Sequence, residues 1–146
     1  MVSELSTMEW DIILFSEARA PTNIVDLDNG CRLYTSFGTN IAAGVGILVN
    51  AHLVPHIIGH KCISDRVMCV QFQLGTKKLC CYAVYIPHCG YDIQLYDHTY
   101  DQLQTDAIRS INDGYRLIIG GDFNTQIDIA LRGQKVFGFA AACAIF

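Results

Sequence analysis

Proline is scarce in this chain, with three residues in 146, and no repeat, low-complexity stretch or linker-like segment accompanies it. That shortage excludes extended proline-rich spacers and points to one folded unit, long enough to bury about two-thirds of its unfolded surface. Charge is also sparse. Asp, Glu, Lys and Arg make up 16% against 51% hydrophobic residues, which excludes a disordered or highly charged tail protein. Ten Lys and Arg face fourteen Asp and Glu, a net charge of −4, and such a balance argues against wrapping nucleic acid through many phosphate contacts. An enzyme that meets phosphate through a bound cation stays open, because it needs acidic ligands. No apolar run approaches the roughly 20 residues of a membrane span, so no membrane partner is expected. Glu4 and Glu9 stand where a secretory leader would be basic and then apolar, so none is expected. The seven cysteines are odd in number and several lie in apolar runs. They read as reduced thiols of an intracellular protein, nuclear or cytoplasmic.

Apolar patterning gives a mixed α/β layered reading. Val2, Leu5 and Met8 recur at three-residue spacing, as at the end of a helix. Ile12 to Phe15 is a short apolar run that predicts a buried strand ending at Ser16-Glu17. Leu33 to Thr35 and Gly44 to Val49 predict two more strands. Met68, Val70, Phe72 and Leu74 alternate with Cys69, Gln71 and Gln73, which predicts a strand with one buried face. Leu79 to Ile86 returns from the Gly75–Lys78 turn as its hairpin partner. Ile93, Tyr96, Tyr100, Leu103, Ala107 and Ile111 form one helical stripe, which Gly114 is placed to cap. Leu117 to Ile119 predicts a buried strand opening onto Gly120-Gly121-Asp122-Phe123-Asn124.

Glu17 and Asp122 both follow apolar strands, and the ends of strands in one sheet gather distant residues into one crevice. Asp122 and Asn124 are two apart, so an extended segment would point both side chains the same way, and two glycines leave the approach open. A carboxylate beside an amide can bind a hard cation and orient a water or a phosphate. The same residues also suit a plain turn in which Asx side chains cap the backbone, and Glu17 alone suits a solvated strand end. His56, His60 and Cys62 have ligand-like spacing, but no fourth zinc ligand is evident.

Taken together, the segments resemble a family. Ile12 to Arg19 is similar to the "DIILLQET" segment of the endonuclease/exonuclease/phosphatase superfamily, and Gly44 to Val49 to its next strand. Ser64-Asp65-Arg66-Val67, Ala83-Val84-Tyr85-Ile86-Pro87 and Ile118 to Asn124 are similar to its "SDRI", "VYAP" and "GDFN" segments, in the same order. The nearest variety is the endonuclease domain of non-LTR retrotransposons, with the related craniofacial-development-protein-like chains. The resemblance implies a partial four-layer α/β sandwich of the DNase I-like type over residues 1–135, with 136–146 an apolar tail outside the pattern. It implies Mg²⁺-dependent hydrolysis of phosphodiesters, with DNA as the ancestral substrate. Glu17 is then the metal ligand, Asp122 orients or deprotonates the attacking water, Asn124 holds the phosphate, and Tyr85 contacts it; a buried aromatic at a strand end is the alternative for Tyr85.

The chain departs from the pattern in several places. It begins after the family's first strand with its Thr-x-Asn motif, and it contains no Ser-Asp-His. Asp128 of Gln126-Ile127-Asp128 follows Asn124 by only four residues, too soon to be the family's later aspartate. His88 stands where the family often has Asn. Losing such groups costs on the order of 10²–10⁴ in rate each, so turnover is expected to be weakened or lost. An inactive remnant that only binds, or a phosphatase of the same superfamily, are the alternatives. An open apolar edge is expected beside Ile12 to Ser16. The tail from Val136 is expected to be either a foreign extension or a cover for that exposed core.

Overall fold

The computed structural model describes residues 9–36, 43–88 and 92–124. The N-terminal helical spacing at Val2 to Met8, the Gln126-Ile127-Asp128 segment, the boundary at 135 and the apolar tail lie outside these residues.

Eight strands form two four-stranded sheets. The first contains β1 (Ile12–Ser16), β2 (Asn23–Asp26), β3 (Arg32–Thr35) and β4 (Val45–Val49), in the antiparallel order β1-β4-β3-β2. The second contains β5 (Ile57–Cys62), β6 (Val67–Leu74), β7 (Lys77–Tyr85) and β8 (Tyr115–Asp122), in the order β5-β6-β7-β8. β5, β6 and β7 are antiparallel, whereas β7 and β8 are parallel. Parallel neighbours need a crossover, and helix α1 (Ile93–Asn112) supplies it. Its first turn is capped by the Asp92 carboxylate, which accepts from the Gln94 N–H at 2.9 Å. At its end Gly114 takes φ +84°, beyond the reach of most side chains.

β6 differs from the one-faced strand that its alternation predicts. Val67, Met68, Cys69 and Val70 are all fully buried. Val67 and Cys69 face α1 in a core with Tyr82, Tyr96 and Leu103, while Met68, Val70 and Phe72 face the first sheet in a core with Val45, Ile47 and Ala83. A strand covered on both sides needs apolar groups at both parities; cysteine, apolar enough to bury, fills a position that the pattern reads as polar. The described residues thus form three layers of an α/β sandwich: first sheet, second sheet and α1. Each large aliphatic or aromatic side chain buried in these two cores contributes about 1.5–3 kcal/mol.

One polar network crosses the helix-facing core. The buried Asp106 carboxylate accepts from Lys61 Nζ at 3.1 and 3.3 Å and from the Tyr82 hydroxyl at 2.8 Å, and that hydroxyl lies 2.8 Å from Ser110 Oγ. Strands β5 and β7 are thereby fastened to α1.

β1 and β8 are the outer strands of their sheets on the same side of the sandwich. Between them lies a cavity of about 430 Å³ lined by Ile12, Leu14, Leu74, Leu79, Cys81 and Ile118, among others. Ile118 is 45% exposed, so this edge is open and apolar within the described residues.

The five described cysteines are all free thiols. Burial pushes the Cys81 thiol up to about 12 and raises the Cys62 thiol as well, but of the two only Cys62 is exposed. Because the thiolate is the reactive form and must also meet the reagent, iodoacetamide near pH 8 should label Cys62 slowly in the native protein. Cys81 should be labelled only after denaturation, as peptide mass mapping would show.

Candidate functional site at the strand ends

Period two along β7 sends Cys81, Ala83 and Tyr85 toward the first sheet. In β8 the same period places Ile118, Gly120 and Asp122 on one face, and the parallel register pairs Asp122 with Tyr85. That face meets β1, because a Cβ on Gly120 would stand 2.7 Å from Leu14 Cδ1. Ile12 lines a cavity with Leu79, and Glu17 meets Tyr85, so β1 runs in the same sense as β7 and β8. Three strand ends converge, carrying Glu17, Tyr85 and Asp122.

The Tyr85 hydroxyl donates to Glu17 Oε1 at 3.3 Å across 68 residues of chain. Tyr85 is 4% exposed, whereas the Glu17 side chain is 52% exposed, so the phenol sits at the floor and the carboxylate at the rim. Arg19 Nη2 lies 3.8 Å from Glu17 Oε2, an exposed pair worth little in stability. Asp122 Oδ1 accepts the Asn124 N–H at 2.8 Å, and Asn124 Nδ2 donates to the Ile86 carbonyl at 2.9 Å. The Asp122 carbonyl accepts the Ile86 N–H at 2.8 Å, so the segment after β8 is stitched to the segment after β7.

The backbone is not extended between Asp122 and Asn124. Asn124 has φ +45° and Glu17 has φ +55°, and among the described residues these are the only non-glycine positions in the left-handed region. Such residues cost of order 1–3 kcal/mol each and gather at functional sites. Asn tolerates the region more readily than Glu. Two glycines make the turns possible. A Cβ on Gly121, at φ +134°, would stand 2.0 Å from the Val84 carbonyl oxygen, and one on Gly44, at φ +125°, would stand 2.2 Å from that of Ala18. Ala18 in turn donates its N–H to the Gly44 carbonyl at 2.9 Å, holding the chain just past Glu17.

No family profile matches the sequence, and no curated protein does. Solved structures do. The endonuclease domain of TRAS1, a telomere-specific non-LTR retrotransposon, superposes with a TM-score of 0.66 at 17% identity, covering 97% of this chain and 62% of that one. An endonuclease/exonuclease/phosphatase family protein from Leptotrichia buccalis C-1013-b gives a TM-score of 0.62 at 15% identity, covering 94% of this chain and 63% of that one.

The fold is the DNase I-like fold. The chain spans a little over three-fifths of the length of either structure. Within the DNase I-like frame, Glu17, Tyr85, Asp122 and Asn124 gather at one end of the sandwich. His88 is exposed beyond β7, and His60, one of the zinc-spaced residues, lies against Tyr34 with ring centroids 5.2 Å apart. No group of three or more His, Cys, Asp or Glu converges on a metal position among the described residues. A magnesium ion does not require one, since it takes one or two carboxylates with waters and substrate oxygens; the exposed Glu17 carboxylate fits that donor set. No helix among the described residues is long and apolar enough to cross a membrane.

Sequence reasoning assigned no role to Arg66. It is 2% exposed, and its guanidinium carbon lies 4.9 Å from the Tyr85 ring centroid. Its segment had stood out only by likeness to the family's "SDRI" run, and a cation directly before the apolar run Val67 to Val70 is the residue-level signal that could have marked it.

Proposed function

We propose that this chain is a phosphodiester hydrolase acting on nucleic acid, in the manner of a retrotransposon-type endonuclease domain. The observation that carries the reading is the coincidence of Glu17 and Asn124 as the two strained non-glycine residues, at the strand ends where Tyr85 and Asp122 also meet. Glu17 is assigned to hold a magnesium ion, which when bound would neutralise charge on the phosphate. The Asp122 carboxylate accepts a hydrogen bond or proton from the attacking water. Tyr85 turns its hydroxyl from Glu17 to a phosphoryl oxygen as charge develops there. Asn124 has a second amide N–H, besides the one given to Ile86, with which to hold the phosphate. DNA is the substrate that the TRAS1 likeness favours, and an intracellular site, nuclear or cytoplasmic, suits the free thiols.

One observation favours the second reading, a catalytically silent binding protein: one of the two Asn124 amide N–H groups is already committed to a backbone carbonyl, which fixes the direction of the other. Supercoiled plasmid decides between the two. Nicking with Mg²⁺ that disappears with EDTA supports the hydrolase; a folded chain that leaves the plasmid intact supports the silent reading.

A further inference from the structure

Arg66 has the bulkiest fully buried side chain among the described residues. Taking a guanidinium out of water costs several kcal/mol unless its surroundings compensate, so its position demands a reason. The residue grips Tyr85 twice: its carbonyl accepts the Tyr85 N–H at 2.9 Å, and its guanidinium lies over the Tyr85 ring at 4.9 Å. That distance is well inside the roughly 6 Å range of a cation–π contact. The turn that presents it is itself tied down. Ser64 Oγ accepts the Arg66 N–H at 3.3 Å, Ser36 Oγ donates to the Asp65 carbonyl at 3.3 Å, and the N–H groups of Ile63 and Ser64 both donate to the Val67 carbonyl at 3.0 Å. A line of contacts therefore runs from a fixed turn through the Arg66 guanidinium and the Tyr85 ring to the Glu17 carboxylate.

We propose that Arg66 is a positioning residue for Tyr85. Its planar cation holds the ring by its face, so that the phenol oxygen points at the rim carboxylate and at any phosphoryl oxygen docked beside it. The cation also draws electron density from the ring, which makes the hydroxyl a stronger donor. Lysine would keep the charge but not the flat stacking surface. The kinetic part of this inference rests on the hydrolase reading; the positional part does not.

The test labels tyrosine at the ring carbon bearing the hydroxyl, assigns Tyr85 by loss of its carbon-13 signal in Tyr85→Phe, and records the shift that Glu17→Gln produces in it. That response should be clear with Arg66 present, vanish in Arg66→Met and return in part in Arg66→Lys. In parallel, Arg66→Met should lower the maximal nicking rate about tenfold with KM within about twofold, and add little when Tyr85 is already Phe. A full Glu17→Gln response in folded Arg66→Met overturns the proposal, whatever the plasmid assay gives. So does failure of Arg66→Met and Arg66→Lys alike to fold, which would make the residue structural only, or an unchanged nicking rate in Arg66→Met. A lost response in a chain whose parent never nicks DNA leaves the positioning intact and removes the hydrolase reading instead.

Discussion

Asp122→Ala should lower Mg²⁺-dependent plasmid nicking by about 10²–10³-fold, the usual cost of removing a group that handles a proton in the transition state. The carboxylate has a second, structural task, since Oδ1 accepts the Asn124 N–H at 2.8 Å and so shapes the turn that carries the amide. Alanine removes both tasks, and loss of such a local acceptor alone costs about 1 kcal/mol. Asp122→Asn separates them: its amide oxygen still accepts from the Asn124 N–H, while the negative charge is gone. A proton-handling role predicts that Asp122→Asn is nearly as inactive as Asp122→Ala, with a melting temperature close to that of the parent. Full nicking by Asp122→Asn would reduce Asp122 to a turn residue and strip the proposed chemistry of its base. Initial rates on supercoiled plasmid, beside thermal melts of all three proteins, make the distinction.

The strands that carry the site were legible in the sequence as continuous apolar runs. Leu79 to Ile86 owes its run to burial on both faces, whereas Ile12 to Phe15 is half-buried throughout and Ile118 is exposed, so those two runs mark the open edge rather than the buried strands that they predict. β2 is fully exposed along its length and pairs only with β3, so Asn23 to Asp26 has no such signature. The alternation in β6 misled because cysteine counts as core from either side. At the site, strand ends could be read but backbone sign could not: nothing in the residue type of Glu17 announces φ +55°. The spacing of Asp122 and Asn124 suggested two parallel side chains, whereas the left-handed turn at Asn124 folds its N–H back onto Asp122. Arg66 was quoted within its segment, but its contact with Tyr85 was not legible because the partner is an aromatic face 19 positions later, brought near only by the pairing of β6 with β7.

The largest stability effect is expected away from the site, at Asp106. Three groups lean on this carboxylate: Lys61 Nζ, the Tyr82 hydroxyl and, at 3.6 Å, Arg109 Nη1. Asp106→Ala leaves the Tyr82 hydroxyl with Ser110 and strands the Lys61 ammonium against the core. Breaking a fully buried pair costs about 3–5 kcal/mol; because Lys61 is about a third exposed and can turn toward water, about 2–4 kcal/mol is the expected loss. For a chain of this size that lowers the melting temperature by roughly 10 °C. Asp106→Asn keeps an acceptor for Tyr82 and should cost about half as much, whereas Tyr82→Phe should cost about 1 kcal/mol. A pH signature distinguishes charge from shape. Burial pulls the Lys61 ammonium down, and the hydrogen bond and charge of Asp106 more than offset that, leaving it above its ordinary value of 10.5. A cation whose titration point is raised on folding stabilises fully below its unfolded value and loses that contribution as pH rises through the folded one. The gap in stability between parent and Asp106→Asn should therefore hold steady from about pH 7 to pH 10 and close above it, as urea unfolding at several pH values would record. A gap that stays constant through pH 11 would mean that Asp106 fastens α1 to the second sheet by its hydrogen bonds alone.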